Sequence, residues 1–172
     1  MCTGNLCRSA LAEWYLRGRV GDAVEVASAG VHAPPGYPMD PPTAQALREL
    51  GGDGGGHVSR RLEPVHVRSA DLVLGAAAGH RDDTVRLVPA ALHRTFTIRE
   101  FLRLAPPGAE PAGLVAAAAR QRGRVRPPEG PYADDIGDPF GFPLEVARAR
   151  AGEVAAAVDA LIDLLGLSSA AR

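Results

Sequence analysis

A short segment near the start of the chain combines residue types that can do phosphate chemistry. Cys2 and Arg8 are separated by five residues, in the run Cys2-Thr3-Gly4-Asn5-Leu6-Cys7-Arg8-Ser9. A loop of this length that runs into a helix can direct its backbone N–H groups, together with the positive helix terminus, at a tetrahedral anion. Arg8 could bind two anion oxygens with its planar guanidinium. The spacing therefore predicts a phosphate-binding loop over residues 3–8, with Cys2 at its base.

Cys2 has the surroundings that a nucleophile needs. The positive field that binds a phosphate also favours the thiolate form of a cysteine over its thiol form. Ser9 can add a hydrogen bond from its hydroxyl group to the sulfur. An ionised Cys2 could then attack phosphorus and form a cysteinyl-phosphate.

A phenolate or similar leaving group needs a proton, which a carboxylic acid on a mobile loop can supply. Asp138 precedes Pro139 and Phe140 in residues 123–143, a stretch dense in Gly and Pro that we expect to be irregular and exposed. Asp134 and Asp135 are nearby alternatives. An Asp before a Pro is by itself an ordinary turn residue, so the prediction of an acid depends on the cysteine motif upstream.

The elements that must position these residues alternate between helix and strand. Apolar periodicity predicts helices over residues 9–19, 43–50, 114–122 and 144–165, the first two capped by Ser9 and Thr43, and a less clear helical stretch over 96–104. Short apolar runs predict strands over residues 24–27, 70–74 and 84–88. The alternation predicts one α/β domain over residues 1–172 with a mostly parallel sheet.

The run from Cys2 to Ser9 resembles the signature of low-molecular-weight protein tyrosine phosphatases, and Asp138-Pro139-Phe140-Gly141 resembles their general-acid loop. Residues 26–30, 36–40 and 70–74 and the final helix are similar to the family in the same order, so the resemblance covers nearly the whole chain. It implies a three-layer α/β/α fold with a short parallel sheet. It also implies hydrolysis of phosphotyrosine in proteins through a cysteinyl-phosphate, without a metal or other cofactor.

The resemblance assigns a role to each residue of the predicted site. Cys2 is expected to be the nucleophile, Arg8 the phosphate ligand, and Asp138 the general acid and then the base. Asn5 is expected to hold the shape of the loop, and Ser9 to stabilise the thiolate.

The resemblance also implies a redox partner and a substrate pocket. Cys7 matches the second loop cysteine of the family, which can form a reversible disulfide with Cys2. Phe140 is expected to form one wall of the pocket and His32 part of another. Leu6 is the bulky apolar type that resembles tyrosine phosphatases, whereas the related protein-arginine phosphatases carry Thr there. Because Asp-Pro-Phe-Gly also resembles the arginine-phosphatase branch, that branch is the alternative function.

The first strand of the family, a central apolar run that leads into the catalytic cysteine, is apparently missing, because only Met1 precedes Cys2. We expect the natural protein to be longer, and we expect the neighbours of that strand to have unpaired inner edges without it. A catalytically impaired phosphate-binding module is therefore a further alternative. An arsenate reductase is less favoured, because its disulfide relay resembles one that needs cysteines after Cys7.

Composition disfavours several other classes of protein. The formal net charge is -1, so there is no basic surplus of the kind that nucleic acids or anionic membranes attract. No apolar stretch approaches the roughly 20 residues of a membrane-spanning helix. Two cysteines are too few for a disulfide scaffold, and His57, His66 and His80 lack the close spacing of metal ligands. We expect a cytoplasmic protein that acts on a phosphorylated protein and binds no metal.

Overall fold

The structure is a computed structural model that describes residues 1–130 and 132–167. Within this part of the chain, seven α-helices lie in the order α1 (Arg8–Val20), α2 (Pro41–Glu49), α3 (Pro64–Ser69), α4 (Ala78–Leu87), α5 (Ile98–Leu104), α6 (Pro111–Gln121) and α7 (Leu144–Leu164). Strands β1 (Val73–Gly75) and β2 (Thr95–Thr97) pair in parallel, with Leu74 opposite Phe96. Two 3-10 helices cover Gly21–Ala23 and Pro89–Arg94.

The side chains of β1 alternate between two apolar clusters, as the pleat of a strand requires. Val73 packs with Leu62, Val67 and Val88, beside α3 and the end of α4. Leu74 packs against the larger cluster formed by α1, α2 and α7. Helices therefore cover both faces of the short parallel sheet, and the predicted α/β fold is confirmed. No helix in residues 1–130 or 132–167 combines the length and the apolar character needed to span a bilayer.

The four helices with clear apolar periodicity lie within three residues of their predicted bounds. Asp40, and not Thr43, caps α2, because its carboxylate accepts from the Thr43 backbone N–H at 3.2 Å and Pro41 occupies the first helical position. Ser9 does not cap α1 either. It lies inside the first turn, after Cys7 as N-cap, so its hydroxyl group is free for contacts with the loop.

The predicted strand over residues 24–27 is wrong, since this stretch forms no strand. Met1 and Cys2 reach the sheet at one end. The Met1 ammonium donates to the Leu74 carbonyl at 2.5 Å, and the Cys2 carbonyl accepts from the Val31 N–H at 3.0 Å. In the stretch 24–27 itself, the Val26 carbonyl accepts from a side chain, the Arg17 guanidinium, at 3.1 Å.

The predicted strand over residues 84–88 is also wrong, because α4 runs through Leu87. Thr84 is accommodated in the helix by a hydrogen bond from its hydroxyl group to the His80 carbonyl, at 2.7 Å. The second strand is Thr95–Thr97, so the predicted helical stretch is correct only from Ile98 onward. Thr97 and Glu100 form a capping box there, a local signal that marks where α5 begins.

Candidate active site

The loop between the sheet and α1 presents a row of free backbone donors. Among the described residues, the N–H groups of residues 3–7 find no hydrogen-bond acceptor. They lie directly before the positive end of α1, whose first turn contains no acidic residue. Consecutive unpaired donors at a helix N-terminus form a site for an anion. We refer to residues 3–8 as the cradle.

Asn5 holds the cradle in its shape from inside the protein. It is fully buried and adopts the left-handed conformation, with φ of 54°, which asparagine tolerates better than most side chains. Its amide nitrogen donates to Ser28 Oγ at 2.7 Å and to Ser9 Oγ at 3.1 Å, and its side-chain oxygen accepts from the Arg60 N–H. These bonds offset the cost of the strained backbone.

Two more residues hold the same turn from outside the cradle. The Asn5 carbonyl lies 2.7 Å from His57 Nε2. The Trp14 indole N–H is a donor only, so His57 Nδ1 must be the acceptor of their bond. The imidazole proton is therefore on Nε2, which donates to the Asn5 carbonyl. Gly30 permits a close approach of its backbone to the cradle, because a Cβ there would lie 2.5 Å from the Thr3 carbonyl oxygen.

The sulfur of Cys2 lies at the base of the cradle. Cys2 is 2% exposed, and its Sγ is 3.0 Å from Ser9 Oγ. Ser9 Oγ already accepts from Asn5, so its own proton is available for the sulfur. A hydroxyl donor of this kind favours a thiolate over a thiol.

Two of the three guanidinium nitrogens of Arg8 are hydrogen-bonded to residues that the structure describes, and the third is not. Its Nη1 donates to the Ile136 carbonyl at 2.9 Å, and its Nη2 donates to Asp138 Oδ2 at 2.6 Å. Its Nε is buried and has no partner within the described residues. A buried N–H without an acceptor is costly. The guanidinium is therefore held in place with one unused N–H, at Nε, which could donate to an anion in the cradle.

The structure separates the three candidate acids. Asp134 pairs with Arg103, and the Asp135 carboxylate accepts from the first N–H of α4, the Ala78 N–H, at 2.8 Å. Asp138 alone of the three contacts Arg8, and 47% of its side chain is exposed. Asp138 is therefore the carboxylate at the opening of the site, while the other two hold its loop in place.

Each of the two predicted pocket residues is next to one of the two loops of the site. Phe140 follows the acid residue, its N–H bonds Asp138 Oδ1 at 3.2 Å, and 57% of its surface is exposed. The His32 N–H donates to the Thr3 carbonyl at 3.0 Å, which places an exposed side chain beside the cradle. Their contacts with substrate stay a prediction.

Cys7 is expected to resist alkylation in the folded protein. Burial raises the pKa of its thiol to about 12, and a hydrogen bond with Thr43 only partly opposes that shift. Because the folded pKa is raised, the reactive thiolate is scarce at every pH well below 12. We expect iodoacetamide at pH 7.5 to modify Cys2, to be slowed there by inorganic phosphate, and to leave Cys7 unmodified by peptide mass mapping.

Protein unfolded in urea serves as the control, because both thiols should then be labelled. Equal labelling of Cys7 and Cys2 in the folded protein would contradict the assignment. The redox-partner role of Cys7 stays a prediction, and its high pKa implies a slow attack on an oxidised Cys2.

The cradle, the buried cysteine and the carboxylate at the opening define a cysteine-based phosphatase site. The sequence pattern of the family described as "Low molecular weight phosphotyrosine protein phosphatase" matches residues 1–107. The chain belongs to this family of cysteine-based phosphatases.

Individual relatives in the family differ in the substrate that their names state. A protein-arginine-phosphatase from Geobacillus stearothermophilus is 33% identical over 165 residues, covering 96% of this chain and 93% of the relative. The solved YwlE arginine phosphatase of that organism has a TM-score of 0.75 at 33% identity, covering 96% of this chain and 89% of that one. A low-molecular-weight protein tyrosine phosphatase from T. tengcongensis has a TM-score of 0.71 at 33% identity, covering 94% of each chain.

Several residues around the site were not assigned to it by the sequence. They are the cradle supports and the residues that connect the two loops: Glu13, Ser28, Gly30, His57, Arg60, His80 and Arg99. Most are polar residues that are distant in sequence from the loop that they contact. No local sequence pattern marks them, apart from the run Ser28-Ala29-Gly30, which lies in the stretch 26–30 that resembles the family.

Proposed function

We propose that this chain hydrolyses phosphotyrosine in proteins through a covalent intermediate on Cys2. The observation that carries the proposal is the set of unused donors in the cradle. Residues 3–7 carry free N–H groups, Arg8 carries a buried, unpartnered Nε, and all of them belong to the short loop that follows the buried Cys2. This arrangement suits a tetrahedral dianion whose phosphorus lies above the sulfur.

In the first step, the Cys2 thiolate attacks phosphorus, and the S–P bond forms as the P–O bond to the tyrosine oxygen breaks. Arg8 and the cradle N–H groups bind the three equatorial oxygens, where the charge of the transition state lies. Asp138, in its protonated form, gives its proton to the leaving phenolate oxygen.

In the second step, water attacks the cysteinyl-phosphate, and the Asp138 carboxylate accepts a proton from that water. The S–P bond breaks, so inorganic phosphate leaves and the Cys2 thiolate is restored. Ser9 supports the thiolate in both states through its hydroxyl proton. The reaction uses only groups of this chain and water, and it needs reduced cysteines, so we place it in the cytoplasm.

The test is steady-state hydrolysis of a phosphotyrosine peptide and of a phosphoarginine peptide with the same flanking residues. Turnover of the phosphotyrosine peptide that is lost in Cys2→Ser supports the proposal. A preference for the phosphoarginine peptide would favour the arginine branch instead. Binding of inorganic phosphate without turnover of either peptide would mean a phosphate-binding module.

Phosphoarginine remains the second candidate because a relative named for that activity matches over nearly the whole chain. The feature that favours phosphotyrosine is Leu6, a half-buried apolar side chain in the cradle. An apolar group can pack on a phenyl ring, but it leaves the N–H groups of a guanidinium without an acceptor.

Leu6→Thr is expected to move specificity toward phosphoarginine. The substitution removes apolar contact and adds a hydroxyl acceptor, and one such change in a pocket is worth about 1–3 kcal/mol. We expect the ratio of kcat/KM for the phosphotyrosine peptide to that for the phosphoarginine peptide to fall by about tenfold. Leu92→Thr, the same change at an exposed position, is the matched control. An unchanged ratio in Leu6→Thr would rule out Leu6 as a specificity residue.

A further inference from the structure

The first turn of α4 contacts both loops of the site. At its start, the Ala78 N–H donates to Asp135 Oδ1 at 2.8 Å, and Asp135 lies three residues before Asp138 in the acid loop. Two residues further along the helix, His80 Nε2 lies 3.0 Å from the hydroxyl oxygen of Thr3, the residue that follows Cys2. One helical turn therefore connects the cradle with the loop that carries the acid.

His80 occupies an environment that an incidental surface histidine would not have. It is 7% exposed, and its Nδ1 is buried without a partner in the described part of the chain. Burial, helped by the nearby Arg8 guanidinium and Met1 ammonium, lowers its pKa to about 4. The imidazole is therefore neutral at neutral pH.

The two ring nitrogens of His80 differ in what they can do. A buried N–H without an acceptor is less tolerable than a buried lone pair without a donor. The imidazole proton is therefore on Nε2, which donates it to Thr3 Oγ1. Apart from this bond, Thr3 is an exposed residue whose carbonyl oxygen accepts from the His32 N–H. The following residue, Gly4, has no side chain with which to restrain the loop.

We propose that His80 is a positioning residue of the phosphatase, a role that rests on the proposed function. Its hydrogen bond to Thr3 holds the cradle next to the nucleophile, and its helix fixes that end of the cradle relative to Asp138. His80 acts through Thr3 and touches neither the substrate nor the sulfur. The expected consequence of losing it is a cradle whose first N–H groups are no longer held toward the phosphate.

The experiment measures binding of inorganic phosphate by calorimetry, alongside kcat for para-nitrophenyl phosphate, in the full chain. His80→Ala and Thr3→Val each remove the hydrogen bond, and each is expected to weaken phosphate binding and lower kcat by about 5- to 10-fold, the worth of one such bond. His80→Gln and Thr3→Ser keep a donor and an acceptor, and both should recover most of the loss. His93→Ala, at an exposed histidine, is the matched control.

The double variant His80→Ala, Thr3→Val gives the decisive comparison. If His80 acts through Thr3, the double variant loses no more than either single variant. Losses in phosphate affinity that multiply in the double variant would overturn the positioning role. Unchanged phosphate binding in Thr3→Val would also overturn it, and that result does not depend on whether His80→Ala folds. A parent chain that bound no phosphate would overturn the proposed function and this role with it. If the parent binds phosphate and His80→Ala binds it equally tightly, only the role of His80 is overturned.

Discussion

Replacement of Cys2 by serine is expected to abolish hydrolysis while phosphate binding persists. A serine hydroxyl keeps its proton at neutral pH and is a poor nucleophile without an adjacent base. Loss of a covalent nucleophile lowers kcat on the order of 10⁴- to 10⁶-fold in well-studied hydrolases. The measurement is the initial rate with para-nitrophenyl phosphate, followed at enzyme concentrations high enough to detect the residual rate.

Phosphate binding provides the control for Cys2→Ser. The cradle N–H groups and Arg8 are unchanged in the variant, so calorimetry should give a phosphate dissociation constant close to that of the parent. Thermal unfolding should also be similar, because Ser and Cys differ little in volume. Hydrolysis that survived in Cys2→Ser at more than about a hundredth of the parental rate would contradict a cysteinyl-phosphate mechanism.

The second large effect is expected from Asp138→Asn, and it should depend on the leaving group. An amide has the shape of the carboxylate but cannot give a proton. Loss of a general acid costs about 10²- to 10⁴-fold when the leaving group needs the proton, as a tyrosine phenolate with a pKa near 10 does. Para-nitrophenolate is a much weaker base, so its release should be affected far less. The measurement is kcat for both substrates in the variant and in the parent.

Asp134→Asn is the matched control, because it removes a neighbouring carboxylate that pairs with Arg103 and does not contact Arg8. We expect its kcat for both substrates to stay within about threefold of the parental value, in the range of an ion pair near the surface. Equal losses with phosphotyrosine and para-nitrophenyl phosphate in Asp138→Asn would exclude Asp138 as the proton donor.

The nucleophile side of the site could be predicted from the sequence because it is local. Cys2, Asn5, Arg8 and Ser9 lie within eight residues, and the loop and the helix after it bring Cys2 and Asn5 into contact with Ser9, although distant residues also support the loop. The ion pair of Arg8 with Asp138 was not predictable in this way. It joins residues 130 positions apart, and it exists only because the whole fold places the two loops side by side.

Two of the three strand predictions failed because sheet formation depends on partners. The apolar stretch at residues 24–27 has the composition of a buried strand, yet its Val26 carbonyl bonds a side chain, Arg17, and not a neighbouring strand. Residues 84–88 include β-branched side chains, but the helix that begins at Ala78 continues through them. His80 was equally hidden, since an imidazole shows its role only through the group that it contacts.

The ion pair between Arg8 and Asp138 also bears on how the enzyme ends a turnover. Inorganic phosphate and the Asp138 carboxylate are both anions that can accept from Arg8 Nη2, and the carboxylate is tethered beside it, at 2.6 Å. A tethered group competes at a high effective concentration, whereas free phosphate competes only at its concentration in solution. In the proposed second step Asp138 ends protonated, so it can compete with the product only after it has lost that proton. We expect the carboxylate then to take the place of phosphate on the guanidinium and to weaken product inhibition.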